Sequence, residues 1–512
     1  MLKRMFKTLA IALLSAGVAM PVLAQQAQPR SGGVLRVGIQ SEPRSLDPLL
    51  VITDGATGHI VSSIFNTLVK YDAKMQIVPD LATSWKVEND GKAIDFFLRK
   101  GVKFHDGTDF DAAAVKFAFD RILDPANSSP YRNFFKPVEQ VVVINPGTVR
   151  FVLANAWPGF FYQLVYVGGM GIPSPTAVKA LGNAGFARKP VGTGPFQLSD
   201  WQSGDKIVLT KNPHYFRAKM PHLDRVEFKV IPDSTALTTS LRTGQLDMVR
   251  DIPTQLLPLL EKEPGLVPSV KNAYSFDWFA LNAAKPPFND IRVRQAINMA
   301  IDRDALGVAV YGKGTRGSSS QIASANSFAH PKKLPTFTYD PEKAKKLLAD
   351  AGKSNLKFTL YSSTVKPQLA QEATVIQAQL AKIGVTVDHQ VLEHQAWLAR
   401  VLKERNFEAS TVGGTGGPEP NSYVMFWTKD NPINFVSLNN AELFDLVPKA
   451  QGVINEAERK KLYHRIQELG AQEAAWMALM EVPSNAVMSN KVKGYVHLPY
   501  NVSYFDEVWL AP

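Results

Sequence analysis

The chain has 512 residues, 57 Lys and Arg against 46 Asp and Glu, a formal charge of +11 and no cysteine. That length exceeds what one hydrophobic core supports, so two or three lobes are expected, and zero cysteine excludes disulfides, thiolate metal sites and cysteine nucleophiles. The basic residues are scattered among acids with no dense stripe, which argues for a solvated, mildly basic surface and against a nucleic-acid-binding module.

Residues 1–24 read as a secretory signal. Lys3, Arg4 and Lys7 form its charged start, an apolar stretch begins at Leu9, and Val22-Leu23-Ala24 is a small-residue cleavage site. No cysteine follows to carry a lipid, and no later apolar run reaches the roughly 20 residues of a membrane span. A soluble, exported, periplasmic protein is therefore expected. Gly33 to Ile39 alternates as a strand, Ser45-Leu46-Asp47-Pro48 breaks it, and Gly58 to Leu68 shows helical spacing. Asp90-Gly91 between apolar stretches predicts a hairpin with a tight primed turn. Ala93 to Arg99 is the returning strand, and a helix starts near Asp111 and stops at Asp124-Pro125. Val141 to Ile144 and Val149 to Leu153 flank Asn145-Pro146-Gly147 as a second hairpin.

Lys189 to Phe196 is a Pro/Gly-rich crossing. Strands are expected at Asp200-Trp201, Lys206 to Leu209 and Arg225 to Ile231, and a helix from Thr235 to Gly244. Pro341 opens a helix that Gly352 ends. A further helix covers Gln371 to Ile383, with a strand after it from Gly384. This rhythm implies an α/β lobe with a partly parallel sheet. Phe407 to Val412 reads as a strand leading into the glycine-rich run Gly413-Gly414-Thr415-Gly416-Gly417-Pro418-Glu419.

Catalytic and cofactor motifs do not survive their context tests. Gly312 to Gly317 spells G-x-G-x-x-G, but a helix precedes it and a serine-rich loop follows, the reverse of a dinucleotide site. His389 and His394 are five apart, which suits neither one helical face nor one strand face. No G-x-S-x-G, H-E-x-x-H or Walker loop is present. No cofactor, metal site or catalytic residue is assigned.

The run from Pro79 to Phe119 carries a longer pattern: Pro79-Asp80-Leu81-Ala82-Thr83-Ser84-Trp85, Asn89-Asp90-Gly91-Lys92, and Phe97 through Lys103-Phe104-His105-Asp106-Gly107. With the blocks Phe279 to Asn298 and Tyr339 to Gly352, it resembles the extracellular solute-binding proteins of the peptide/nickel class, family 5, which feed ABC importers. The resemblance spans essentially the whole chain after residue 24. It implies a periplasmic-binding-protein-like α/β fold: two large lobes joined by a hinge, with a smaller inserted lobe, and ligand held between the large lobes. The segments expected are 32–69, 190–281 and 483–512 for the first lobe, 70–189 for the insert and 282–482 for the third lobe.

The same resemblance names the cleft. Thr53, Asp54 and Gly55 line it in relatives. Tyr131, Trp397 and Tyr500 match or lie near cleft aromatics, each with core packing as its alternative. Tyr166 opens the stretch where the nickel branch has an Arg that is missing here. Lys366 lies near the position where dipeptide binders place an Arg for the ligand carboxylate. Peptide-binding branches carry a Trp near Gly413 and, near Gly416, an Asp that pairs with the peptide ammonium; both are missing. Asp54 or Glu419 replaces that acid, or the ligand has no ammonium there; Glu419 has a structural reading as well. The glycines around Thr415 leave room for a bulkier ligand or offer N–H groups to an anion. The expected function is a monomeric, non-enzymatic substrate-binding subunit that delivers a peptide or modified amino-acid-like compound to permease subunits in the inner membrane. An opine, an oligosaccharide or a metal chelate is the alternative ligand. A periplasmic hydrolase or a holdase is the alternative class.

Overall fold

The computed structural model describes residues 28–512 apart from 51–54, 166–169, 313–314, 316, 327, 332–333, 335–337, 430 and 432. One ten-stranded mixed sheet runs through the molecule. Across it lie Thr386–Leu392, Lys357–Ser363, Ala409–Thr415, Leu266–Leu281, Trp476–Ser489, Met248–Arg250, Val34–Ile39, Arg225–Val230, Lys206–Lys211 and Phe196–Gln202. The two central strands, of 16 and 14 residues, pair antiparallel from Leu266 opposite Ser489 to Ala280 opposite Trp476. Register shifts interrupt them between Lys271 and Ser275 and between Asp277 and Trp278. The boundaries expected at 281/282 and 482/483 fall at the end of one of these strands and inside the other.

The expected parallel pairing is present where Lys357–Ser363 and Thr386–Leu392 flank the helix Pro367–Ala381. Lys357–Ser363 also runs parallel to Ala409–Thr415. On the opposite half, Val34–Ile39 is parallel to both of its neighbours. A separate four-stranded antiparallel sheet uses Ala82–Glu88, Ala93–Leu98, Thr148–Leu153 and Val138–Asn145 in that spatial order. Both predicted hairpins are in it. The first turn differs from expectation: Asn89, Asp90 and Gly91 all have positive φ (49°, 51° and 86°), so the turn is longer than two residues. The helix Ala112–Leu123 begins on its Asp111 cap, whose carboxylate accepts the Ala114 N–H, and buries Val115, Phe119 and Ile122 against this sheet.

The first helix is Gly55–Ile64, ending earlier than Leu68. Its last carbonyl, Ile64 O, is taken by the Gly194 N–H at 2.8 Å. Gly192 and Gly194 lie so close that a β-carbon on either would sit 2.3–2.5 Å from Ile64 O. The Pro/Gly crossing thus terminates the helix from outside. Apolar residues collect on both faces of the central strands. Tyr274, Phe276, Trp278 and Trp476 join the large core that extends to the four-stranded sheet. Phe279, Leu281 and Met477 pack on the other side with Ile297, Leu348 and Leu380.

Candidate ligand-binding cleft

In open α/β sheets ligands bind beyond the carboxyl ends of parallel strands. Here that position is where Lys357–Ser363 runs into the helix starting after Lys366, beside the exposed end of Ala409–Thr415. Gly414 and Thr415 are exposed, and Thr415 Oγ1 lies 3.0 Å from Ser275 Oγ on the long central strand. The long central strand, the strand Lys357–Ser363, a helix start and a glycine-rich strand end therefore meet at one place.

The glycines do not leave the room expected of them. Gly413 pairs across the sheet with Asp277, and a β-carbon on it would lie 2.8 Å from Asp277 Oδ1. Lys366 Nζ approaches both oxygens of that carboxylate, at 2.7 and 2.8 Å. The Tyr311 hydroxyl donates to Oδ2. A β-carbon on Gly416 would lie 2.2 Å from the Tyr423 ring, and one on Gly414 3.0 Å from the Trp278 ring. Nor is the Gly416 N–H open to an anion, because it donates to Tyr274 O at 2.8 Å. The missing side chains are replaced by side chains from elsewhere in the chain.

Glu419 also turns inward. It is 3% exposed, it pairs with Arg459, and its Oε1 accepts from the Tyr463 hydroxyl at 3.2 Å and the Asn421 N–H at 3.3 Å. Burial raises its carboxyl above the ordinary range, against the pull of Arg459. This is the structural reading of Glu419, and it removes that acid from the ligand's reach.

The three aromatics belong to the large core. Tyr131 is packed beside Phe134. Trp397 is buried, donates from Nε1 to Ser410 Oγ at 2.9 Å and stacks on His394. Tyr500 meets Tyr71 and Tyr274 edge-on, at 6.1 and 5.9 Å between ring centres. Gly55 begins the first helix, while Thr53, Asp54 and Tyr166 lie outside the described residues. His389 pairs with Ser362 and His394 with Ser363, consecutive positions on a strand, so the two imidazoles serve opposite faces. Gly317 bridges to Met480 and passes within a β-carbon's reach of Arg303, so the glycine string there serves a close approach.

Arg250 was not singled out from sequence. It is buried and donates to the carbonyls of Leu498, Tyr500 and Val502 and to Ser484 Oγ, at 2.9–3.2 Å. Near it Ser503 Oγ is 3.1 Å from His59 Nδ1, and His59 Nε2 is 3.8 Å from Asp251. That series has the residue types of a hydrolase triad. Ser503, however, is fully buried, and its hydroxyl is engaged by Arg250 Nη1 at 3.3 Å and Tyr495 at 3.0 Å. It tethers the C-terminal segment, with no approach for a carbonyl substrate. Asp277, Glu372 and Tyr311 were missed too. Their one signal is a lone acid, Asp277, inside the apolar run Tyr274 to Leu281.

The sequence profile described as "Bacterial extracellular solute-binding proteins, family 5 Middle" matches residues 76–435. Heme-binding protein A of Haemophilus influenzae is 30% identical over 498 residues, covering 90% of each chain. The glutathione-binding protein GsiB of Shigella flexneri is 29% identical over 507 residues, covering 97% of this chain and 98% of that one. Among solved structures, the ABC transporter-associated periplasmic binding protein DppA from Helicobacter pylori, in complex with the peptide STSA, superposes with a TM-score of 0.80. It is 31% identical and covers 94% of this chain and 99% of its own. Among the described residues, no helix is long and apolar enough to cross a membrane.

Proposed function

We propose that this chain, which belongs to the bacterial extracellular solute-binding proteins of family 5, captures a peptide or modified amino-acid-like compound whose binding does not depend on a buried counter-charge for an ammonium. The chain is the substrate-binding subunit of an ABC importer, a solute-binding protein by family. Its relatives include proteins named for heme and for glutathione and one solved in complex with a peptide, so the family alone leaves the ligand class open. The observation that carries the reading is how three described carboxylates, Asp277, Glu419 and Glu481, are engaged. Asp277 is held by Lys366, Glu419 by Arg459, and Glu481 by the N–H and hydroxyl of Ser324. A ligand ammonium would have to break one of these pairs and leave a buried cation unmatched. Amide groups of a peptide-like solute need only hydrogen bonds, which suit the Thr415 and Ser275 hydroxyls at the exposed strand ends.

The delivery role carries further proposals. Ligand sits between two large lobes made of the segments expected from sequence, and closure over it biases an open–closed equilibrium. The closed protein hands its solute to permease subunits on the outer face of the inner membrane.

Mass spectrometry of small molecules released on denaturing the natively purified protein tests the ligand class. Titration of the released compound and its N-acetylated form tests the ammonium argument. Equal affinity, within about threefold, is expected. A compound whose affinity falls a hundredfold or more on acetylation would overturn it. A released opine, sugar or metal chelate would replace the ligand while keeping the family.

A further inference from the structure

Lys366 stands at the start of a helix, at the carboxyl end of a parallel strand, with 29% of its side chain exposed. It has the position and charge to receive an anionic group of a solute. Its partner Asp277 is fully buried in the middle of the long central strand. The contact is bidentate, and the Lys366 ammonium also lies 5.2 Å from the centre of the Tyr311 ring. Tyr311 donates its hydroxyl to the same carboxylate. Gly413 supplies the clearance, since any β-carbon there would press on Asp277 Oδ1 and come within 3.5 Å of the Lys366 stem.

A second acid lies behind the pair. Glu372, on the helix that Lys366 begins, is fully buried against Asp277. Burial first, and the charge of Asp277 second, push its carboxyl well above the usual range and favour its neutral form. One anion, Asp277, therefore faces one cation, Lys366. Moving Lys366 to a solute would leave Asp277 buried and uncompensated, while the new contact would be half in water. The first loss outweighs the second gain.

We infer that Asp277 is a specificity-determining residue: it occupies the Lys366 ammonium from within and closes this part of the cleft to ligand carboxylates. The clearance at Gly413 then belongs to an internal ion pair and not to a ligand group. Substitution at Asp277 releases a cation at the cleft, so a neutral site becomes an anion-accepting one. This inference rests on the solute-binding reading above, but its test does not use the natural ligand.

Acetate is the probe, and the signal is the side-chain amine resonance of Lys366 in protein labelled with [15N]lysine, assigned by its loss in Lys366→Arg. Wild type is expected to show no shift with acetate, and Asp277→Asn a saturable one. If wild-type Lys366 responds to acetate, the ammonium is already available and the inference is overturned. If neither protein responds, Asp277 does not gate the site and the inference is overturned as well. Asp277→Ser replaces the asparagine variant should that one not fold. Neither failure touches the ligand-class reading, which the released-ligand experiment decides on its own.

Discussion

Gly194 touches only main chain and Gly192 main chain and the Phe65 ring, whereas Gly413, Gly414 and Gly416 touch side chains alone. At the first site the obstacles are Ile64 O and Ile64 C, joined by the Phe65 ring at Gly192 and by Ser63 O at Gly194, the end of a helix that has nowhere to go. At the second they are the Asp277 carboxylate and the rings of Trp278 and Tyr423. A helix end is rigid, while a ring or carboxylate can turn at some cost. Two glycine-rich stretches of similar composition thus differ in kind: one is a fixed seam, and the other is a mould filled by movable parts.

The sharpest way to break that comparison is Gly194→Ala. With three backbone atoms within 2.6 Å of the new methyl, we expect a loss of about 3 kcal/mol or more, read as a lower urea midpoint. A loss below about 1 kcal/mol would mean that the seam yields.

Acidity should also separate the two stretches. His105 is half-buried against the crossing: its Nδ1 accepts from the Gly192 N–H at 3.3 Å, and its Nε2 is 3.1 Å from Gly194 O. Desolvation lowers its pKa to about 4. The unfolded chain then takes a proton first, so stability is intact above about pH 6.5 and falls as the pH drops towards 4, by roughly 3 kcal/mol in all. Urea melts of wild type and His105→Gln at pH 7 and pH 4.5 check this. The wild type should lose more between the two pH values, and parallel losses would remove His105 as the cause.

Gly416→Ala comes next. The Tyr423 ring must move off its place, with a loss of about 2 kcal/mol and weaker binding of the released ligand. Gly413→Ala should be the mildest, about 1 kcal/mol, since only the Asp277 carboxylate has to shift. If Gly413→Ala costs as much as Gly194→Ala, the ion pair is as rigid as a helix end and the distinction fails.

How legible this was follows from range. The two hairpins, the Asp111 cap and the stops at Gly244 and Gly352 depend on neighbours within a few residues, and each left its mark in the sequence. The turn at Asn89 came out longer because three consecutive residues share the left-handed region, which one Asp-Gly pair does not announce. The contents of the glycine mould were not legible, because Asp277, Trp278 and Lys366 reach Gly413 and Gly414 from distant parts of the chain. Glu419 was legible as an acid before proline, but only Arg459, 40 residues on, decides that it faces inward. The aromatics at 131, 397 and 500 illustrate the same limit: ring and spacing are visible in sequence, and the side the ring faces is not.

The stitching of residues 498–503 bears on the order in which the chain can settle. Arg250 meets its three carbonyls, the Ser62 hydroxyl meets Ser503 O at 2.9 Å, and Gly58 packs against Asn501 O only after residues more than 240 positions later exist. The strand Met248–Arg250 likewise waits for Trp476–Ser489 as its neighbour. A first half without residues 476–503 would lack these partners, so the first helix and the strand Met248–Arg250 take their places only together with that late segment.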